Sequence, residues 1–278
     1  MNIPEIKAIA LKYQLGIFPQ RMGQHFLVDG GVLARIAEAL GPTAEDTVLE
    51  IGPGLGALTE QLIFRAGRLI AVEKDRKFLE VLTDRFKTVD HLQLVRSDIL
   101  KVDWAALAGG REKSLLVAGN IPYALTSPII EALVTHRQWI RRAVLTIQKE
   151  VADRIVAAPG RRAYSSLSVL TRVGFVPKIA FRIHAGAFYP RPRVVSAVLK
   201  LDALAQPAVP PELEEPVLRL TRHLFTHRRK TLLNGLTGFN QLAREELLKR
   251  LHAAGISPTV RAETLDLGML TRLAASLT

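Results

Sequence analysis

Thr47-Val48-Leu49-Glu50-Ile51-Gly52-Pro53-Gly54-Leu55-Gly56 is the stretch that decides the fold. Thr47 to Ile51 is β-branched and apolar enough to be a buried strand, and the glycines behind it open a segment of helical period. Glycine lets the backbone turn sharply and come close to a ligand at the carboxyl edge of a sheet. A dinucleotide-binding loop would space its glycines G-x-G-x-x-G, the third allowing close helix–strand packing below a pyrophosphate. Here the spacing is G-x-G-x-G and Pro53 offers no amide donor, so a pyrophosphate is a poor fit.

Working outward, similar runs recur at Leu69 to Val72, Leu92 to Val95, Leu115 to Ala118 and Ala143 to Ile147. Between them Leu58 to Phe64, Lys77 to Phe86 and Ile129 to Val134 repeat apolar residues at three- and four-residue intervals. This alternation predicts βαβ units, a mostly parallel sheet of about seven strands, and helices on both faces. After Arg182 the chain turns to Pro-punctuated extended segments ending in Val194 to Leu201, read as a closing strand pair. Gln206 to Pro216 holds Pro207, Pro210, Pro211 and Pro216 and reads as a linker. Beyond it Val217 to Phe225, Gln241 to Ala254 and Leu265 to Leu277 are helical in period with no strand signal. The expected organisation is an α/β domain over 1–205 and a small all-helical domain over 206–278.

Composition narrows the function classes. No apolar stretch approaches the roughly 18 residues of a spanning helix, and Met1 to Gln20 lacks the apolar block of a secretory signal, so a cytoplasmic location and no membrane partner are expected. The absence of cysteine excludes disulfides, thiolate zinc sites and a Cys nucleophile. Thirty-eight Lys plus Arg against 26 Asp plus Glu leave a net charge of +12, which suits a polyanion such as nucleic acid.

The acid before the loop and its tight glycines resemble motif I of class I methyltransferases, Rossmann-like enzymes whose cofactor carries a zwitterionic methionine tail and no phosphate. Glu73 ends the next strand 21 residues after Gly52 (73 − 52), where a carboxylate can accept from both ribose hydroxyls. Asp98 ends the third, where an acceptor can read an adenine amine while Ile99 packs on the ring. Taken singly, the glycines can be only a turn, Glu73 a solvated strand end and Asp98 a helix N-cap; their order after successive strands favours a nucleoside cofactor.

Asn120-Ile121-Pro122-Tyr123 follows the fourth strand. The exocyclic amine of adenine is a weak nucleophile because its lone pair is delocalised into the ring. A transferase must hold that nitrogen and favour a tetrahedral geometry. The side-chain oxygen of Asn120 and the carbonyl of Ile121, fixed by Pro122, can each accept one N6–H, and Tyr123 can stack on a base drawn out of its helix or loop. Such chemistry needs no metal and no strong base. Alternatively, Pro122 merely ends a strand and Tyr123 packs in a core.

Several stretches together resemble the KsgA-type small-subunit rRNA adenine dimethyltransferases across nearly the whole chain. Arg21-Met22-Gly23-Gln24-His25-Phe26-Leu27 is similar to the family's G-Q-N-F-L, with His25 in place of the commoner Asn; Asn120 to Tyr123 is similar to N-L-P-Y, with Ile121 for Leu. Gln148 to Arg154 resembles the family's post-strand helix start, and Phe188 to Ser196 matches F-x-P-x-P-x-V-x-S. The resemblance implies S-adenosylmethionine as methyl donor and S-adenosylhomocysteine as product. It implies cofactor contacts from His25, Leu27, Gly52, Gly54, Glu73, Asp98, Ile99 and Asn120, and makes Phe188 a second stacking wall opposite Tyr123. Phe225 to Asn234 looks like the F-x-x-R-R-K-T-L-x-N of the ribosome-acting branch; Arg228, Arg229 and Lys230, with Arg191 and Arg193, become RNA-binding candidates. A solvated helix start explains the basic run equally well. The implied reaction is double methylation of two adjacent adenines in the 3′-terminal hairpin loop of small-subunit rRNA, by a monomer acting on an immature 30S subunit during ribosome biogenesis. Competing readings are an Erm-type large-subunit rRNA methylase, a non-catalytic assembly or transcription factor on the same fold, and a nicotinamide-dependent oxidoreductase, the last disfavoured by the loop spacing.

Overall fold

Thr47–Ile51 is buried at every position, as an apolar strand with sheet on both sides must be. In the computed structural model, which describes residues 1–15 and 25–278, it is the second of nine strands. In chain order these are β1 (Phe26–Leu27), β2 (Thr47–Ile51), β3 (Arg68–Glu73), β4 (Leu92–Arg96), β5 (Leu115–Asn120), β6 (Ile140–Gln148), β7 (Phe175–Ile183), β8 (Phe188–Tyr189) and β9 (Ser196–Ala203). The helices are α1 (Ile3–Lys12), α2 (Gly30–Leu40), α3 (Thr59–Leu62), α4 (Arg76–Arg85), α5 (Trp104–Leu107), α6 (Thr126–Thr135), α7 (Lys149–Val156), α8 (Ser166–Gly174), α9 (Pro211–Thr226), α10 (Leu232–Gly235), α11 (Arg244–Ala253) and α12 (Leu267–Leu277).

Seven strands form one sheet in the order β4-β3-β2-β5-β6-β9-β7. The pairs from β4 through β6 are parallel and β6–β9 is antiparallel. The fold is therefore the α/β, mostly parallel seven-stranded sheet that the alternating pattern predicts. Strand order reverses between β2 and β5, and the crevice beyond the carboxyl ends of strands at such a point is where open α/β sheets bind ligands. Register sets Glu50 beside Ala118 and Asn120 beside Thr146.

Contacts divide the chain into two compact units: Met1–Ala152 with Lys178–Ala203, and Asp153–Pro177 with Leu204–Thr278. In the first, α2 covers one sheet face. Asp29 caps its start by accepting from the Val32 amide, Gly41 ends it in the left-handed region, and Leu33, Ile36, Ala37 and Leu40 make its buried stripe. That stripe packs in one core with Val48, Leu69, Leu116, Ala118 and Val144, each large side chain contributing about 1.5–3 kcal/mol of burial. In the second unit Arg172 donates to the carbonyls of Ile155 and Val156 at the end of α7, and the Tyr164 hydroxyl donates to the Leu265 carbonyl. Burial pushes that phenol up to about 12.

Several sequence expectations change. The boundary at 205/206 assigned 153–177 to the first domain, whereas its contacts put it with the C-terminal helices, where the Tyr164–Leu265 bond fastens it. The presumed linker is half helix: α9 starts at Pro211, where a missing N–H is harmless, and tolerates Pro216 inside, at the loss of one ladder bond. Val194 to Leu201 supplies one strand of the closing pair, β9; its outer neighbour is β7, whose Pro177, Lys178 and Arg182 disguise an edge strand. The helix expected over Leu58 to Phe64 shrinks to the four residues of α3. Among the described residues no helix is long and apolar enough to cross a membrane.

Candidate active site

The cavity of the first unit opens at the carboxyl ends of β2, β3 and β5. It encloses about 800 Å³ of free space, open solvent at its mouth included. Of the residues singled out from sequence, the structure brings His25, Leu27, Gly52, Gly54, Glu73, Asn120, Ile121, Pro122 and Tyr123 onto its wall.

The glycine loop explains the shape. Gly52, Gly54 and Gly56 all have positive φ (62°, 56° and 82°), which other residues adopt only with strain. An added Cβ at Gly52 would meet nothing within 4 Å, so that residue leaves the cavity open. At Gly56 a Cβ would lie 2.6 Å from the Phe86 ring, so that glycine serves packing against α4.

Two buried acids sit below the loop. Glu73 accepts from the Gly54 amide at 3.1 Å and the Asp75 amide at 2.9 Å. Its burial raises the pKa, opposed in part by these backbone bonds. Glu50 is 1% exposed and accepts from the Thr59 hydroxyl at 2.7 Å. Burial, with the nearby Glu73 adding to it, pushes its carboxyl up to about 8. A cation in the cavity would favour the ionised form of both. Open space at Gly52 above buried carboxylates fits a ligand with a cationic amino-acid tail, so the residues present suit S-adenosylmethionine.

The other wall is neutral. The Asn120 amide nitrogen donates to the His25 carbonyl at 2.8 Å, and since a carbonyl only accepts, this fixes the amide orientation and leaves Oδ1 as an acceptor with no partner among the described residues. His25 is itself placed by Nδ1 at 2.7 Å from the Pro190 carbonyl, where the short β1–β8 pair ends. The Tyr123 hydroxyl lies 2.7 Å from that of Ser196, a fully buried residue, and its ring centroid is 5.7 Å from the His25 ring. Burial raises the Tyr123 pKa, so the phenol stays protonated at neutral pH.

Other candidates lie elsewhere. Asp98 does not line the cavity: it caps the turn at Ile99–Lys101 by accepting from the Leu100 amide and pairs with Lys74 at 3.0 Å. The Lys74 bond is the main reason its pKa is lowered. Ile99 is buried and also off the wall. Phe188, opposite Leu27 in the β1–β8 register, is 3% exposed and packs in the core beneath α2 instead of facing the cavity. Arg191 and Arg193 are exposed, as are Arg229 and Lys230 in the second unit. Arg228 is half-buried and paired with Glu263 at 2.6 Å. Arg21 to Gln24 lie outside the described residues. Among the described residues no cluster of three or more His, Cys, Asp or Glu could hold a metal.

Sequence reading used Glu50 only as the acid before the glycine loop and Phe26 and Ser196 only as motif positions, and it passed over Phe78. A carboxylate inside an otherwise apolar strand was the signal that Glu50 is buried at the site; nothing local distinguished Phe78.

Residues 18–278 match the sequence model of the family described as Ribosomal RNA adenine dimethylase. The chain is 40% identical over 269 residues to the Ribosomal RNA small subunit methyltransferase A of Moorella thermoacetica, covering 94% of this chain and 93% of that one. To the protein of the same name from Geobacillus thermodenitrificans it is 37% identical, over 98% and 94%. Among solved structures it is similar to a dimethyladenosine transferase from Plasmodium falciparum (TM-score 0.77, 26% identity, 90% of this chain and 96% of that one). It is also similar to the 23S rRNA methyltransferase ErmE (TM-score 0.69, 26% identity, 91% and 99%). With a motif-bearing rim at the sheet's switch point, and a match that spans both units, the chain belongs to the ribosomal RNA adenine dimethylase family.

Proposed function

We propose that this protein methylates N6 of two adjacent adenines in the 3′-terminal hairpin loop of small-subunit rRNA, twice each, giving N6,N6-dimethyladenosine during ribosome biogenesis in the cytoplasm. The observation that carries this reading is the Asn120 amide, held by the His25 carbonyl so that Oδ1 is free at the cavity wall beside Ile121 and Tyr123. The two relatives named as small-subunit enzymes support the substrate, since they are more similar in sequence than ErmE.

In the first transfer Asn120 Oδ1 and the Ile121 carbonyl take one N6–H each, which turns the nitrogen lone pair away from the wall; in the second, the one N–H that is left is held by one of them. Tyr123, pinned through Ser196, supplies a flat face for the extruded base. Glu73 would take the ribose hydroxyls of a bound cofactor, and Glu50 and the loop around Gly52 and Gly54 would receive its methionine end, with His25 and Leu27 on the same wall. When bound there, S-adenosylmethionine would supply an activated methyl group carried on a sulfonium, with S-adenosylhomocysteine as the product. Asp98, with one donor on each oxygen, keeps acceptor capacity that could take an adenine amine beside Ile99, whereas Phe188 would become a second wall only by leaving the core. No group on this wall has to act as a strong base, because the proton on N6 becomes acidic once the nitrogen is alkylated. Arg191, Arg193, Arg229 and Lys230 hold RNA phosphates, and the enzyme works as a monomer on the immature 30S subunit.

The test offers the chain undermethylated small subunits with labelled cofactor and identifies the products by mass spectrometry and primer extension. Dimethyladenosine at two adjacent positions near the 3′ end is expected. Label confined to large-subunit rRNA would turn the reading to an Erm-type activity, and no label to a non-catalytic factor.

A further inference from the structure

Of the eight large hydrophobic side chains exposed among the described residues, three stand together at the rim of the neutral wall: Leu125, Val194 and Val195, at 40%, 42% and 43% exposure. Leu125 ends the turn Tyr123–Leu125, its amide donating to the Pro122 carbonyl at 2.9 Å. Val194 and Val195 lead into β9, where the Lys149 amide donates to the Val195 carbonyl at 3.0 Å. The 2.7 Å contact between the Tyr123 and Ser196 hydroxyls joins the two segments. Leu125 is two residues beyond Tyr123, and the valines immediately precede Ser196, so each Cα of the three lies within about 8 Å of the Cα of Tyr123 or of Ser196. Ile3, Leu11, Phe64 and Leu100, the other exposed hydrophobics of this unit, are spread over α1, the end of α3 and the turn after β4. None of the three rim side chains lines the cavity itself.

We propose that Leu125, Val194 and Val195 form a platform for the unpaired base next to the target, so that one adenine of an adjacent pair lies on the rim while the other is held at Asn120. The inference rests on the RNA-methylating reading and adds a second base subsite to it. A base drawn into a cavity leaves its neighbour unstacked, with a flat apolar face that aliphatic side chains can cover. Arg191 and Arg193, exposed in the same segment as the valines, supply charge for the phosphates beside that base. A protein partner fits less well, because three side chains offer far less than the roughly 800 Å² per partner of a stable interface. The three side chains carry no donor or acceptor, so the platform reads no base edge. It therefore takes adenine and N6,N6-dimethyladenine alike, although the second has lost both N6–H donors. The adenine modified first can rest on the rim while its neighbour is methylated.

The experiment measures binding of the full chain, saturated with S-adenosylhomocysteine, to a synthetic RNA hairpin with two adjacent adenines in its loop. The same hairpin is also offered with either adenine of the pair made abasic, or dimethylated at N6. Wild type should bind the abasic hairpins about fivefold more weakly than the intact one, the loss of one stacked base, and the dimethylated ones within about twofold of it. In V194S/V195S, and separately in Leu125→Ser, affinity for the intact hairpin should fall about fivefold and the abasic penalty should shrink below about twofold, because the base removed no longer has a platform. Leu11→Ser, which takes an exposed leucine from α1, should behave as wild type. An abasic penalty undiminished in either platform variant would overturn the platform. Dimethylated hairpins bound as weakly as the abasic ones would overturn it too, since the rim would then be reading the amine. Absence of methylated adenosine when wild type is given small subunits and cofactor would instead overturn the functional reading beneath it.

Discussion

The two sides of the cavity in the first unit differ in charge. On the β2–β3 side Glu50 and Glu73 are buried acids, one held by a hydroxyl and the other by backbone amides. On the other side Asn120 and Tyr123 line the wall with Thr146 and Ser196 behind them, none of the four carries a charge, and burial keeps the Tyr123 phenol neutral. Two carboxylates that raise each other's cost are tolerable where a cation comes to relieve them. An uncharged wall is what a neutral purine needs, because a carboxylate there would add a buried charge without a partner. The acidic side thus suits the cationic cofactor and the neutral side the base.

The largest way to break this contrast is Glu50→Gln. The Glu50 carboxyl, near 4.5 when unfolded, is pushed up to about 8 in the fold. Between those values the folded chain keeps a proton that the unfolded chain has released, so stability falls as pH rises through that window and the full penalty persists above it. We expect Glu50→Gln to match wild type near pH 4 and to be more stable near pH 9, by on the order of 4 kcal/mol. Unfolding curves at both pH values test this. A gain that does not grow with pH would mean that Glu50 is not the destabilised acid, and tighter cofactor binding by the variant would remove it from the cationic side.

Next come the glycines at the two ends of the loop. Gly56→Ala forces a Cβ to 2.6 Å from Phe86 and 2.9 Å from Leu82 at a φ of +82°, and should cost about 2–4 kcal/mol of stability. Gly52→Ala meets open space at a φ of +62°, so backbone strain alone should cost about 1 kcal/mol. Its methyl group instead enters the cavity and should weaken cofactor binding about tenfold, a loss of about 1.4 kcal/mol. Melting temperature and cofactor titration separate the two variants. Equal effects on both readouts would erase the distinction between a packing glycine and a space-making one.

Much of this was legible in the chain because the signals are local. Thr47 to Ile51 forms its strand at the bounds its β-branched residues set, and residues placed at successive strand ends, Gly52, Glu73 and Asn120, meet because parallel strands share one carboxyl edge. What escaped depends on partners far along the chain. Asp98 stands at the right strand end, yet Lys74 from another loop engages it. Whether Phe188 or Tyr189 turns into the core is settled by a two-residue strand pairing with β1, which alternation cannot reveal over so short a span. Pro211 and Pro216 looked like linker punctuation because only the helix around them shows that one stands at its first position.

On the neutral side Asn120→Ala should lower turnover at least tenfold with RNA affinity retained, because the lost acceptor matters most as the nitrogen becomes tetrahedral. Single-turnover rates with saturating RNA measure this. A loss confined to KM would make Asn120 a ground-state contact and leave the neutral side without a chemical role.

The smallest effect expected is at Thr146, the register partner of Asn120 on β6. Its side chain is fully buried, and its hydroxyl has no hydrogen-bond partner among the described residues. An unsatisfied buried hydroxyl is unfavourable, and valine has nearly the same outline without the polar atom, so Thr146→Val should raise stability by about 1 kcal/mol. Turnover should not change, since Thr146 is absent from the cavity wall. Unchanged catalysis would show that the neutral side works only through atoms facing the cavity. A fall in turnover at undiminished stability would extend it one strand back, with the Thr146 hydroxyl reaching the Asn120 amide as the base is bound.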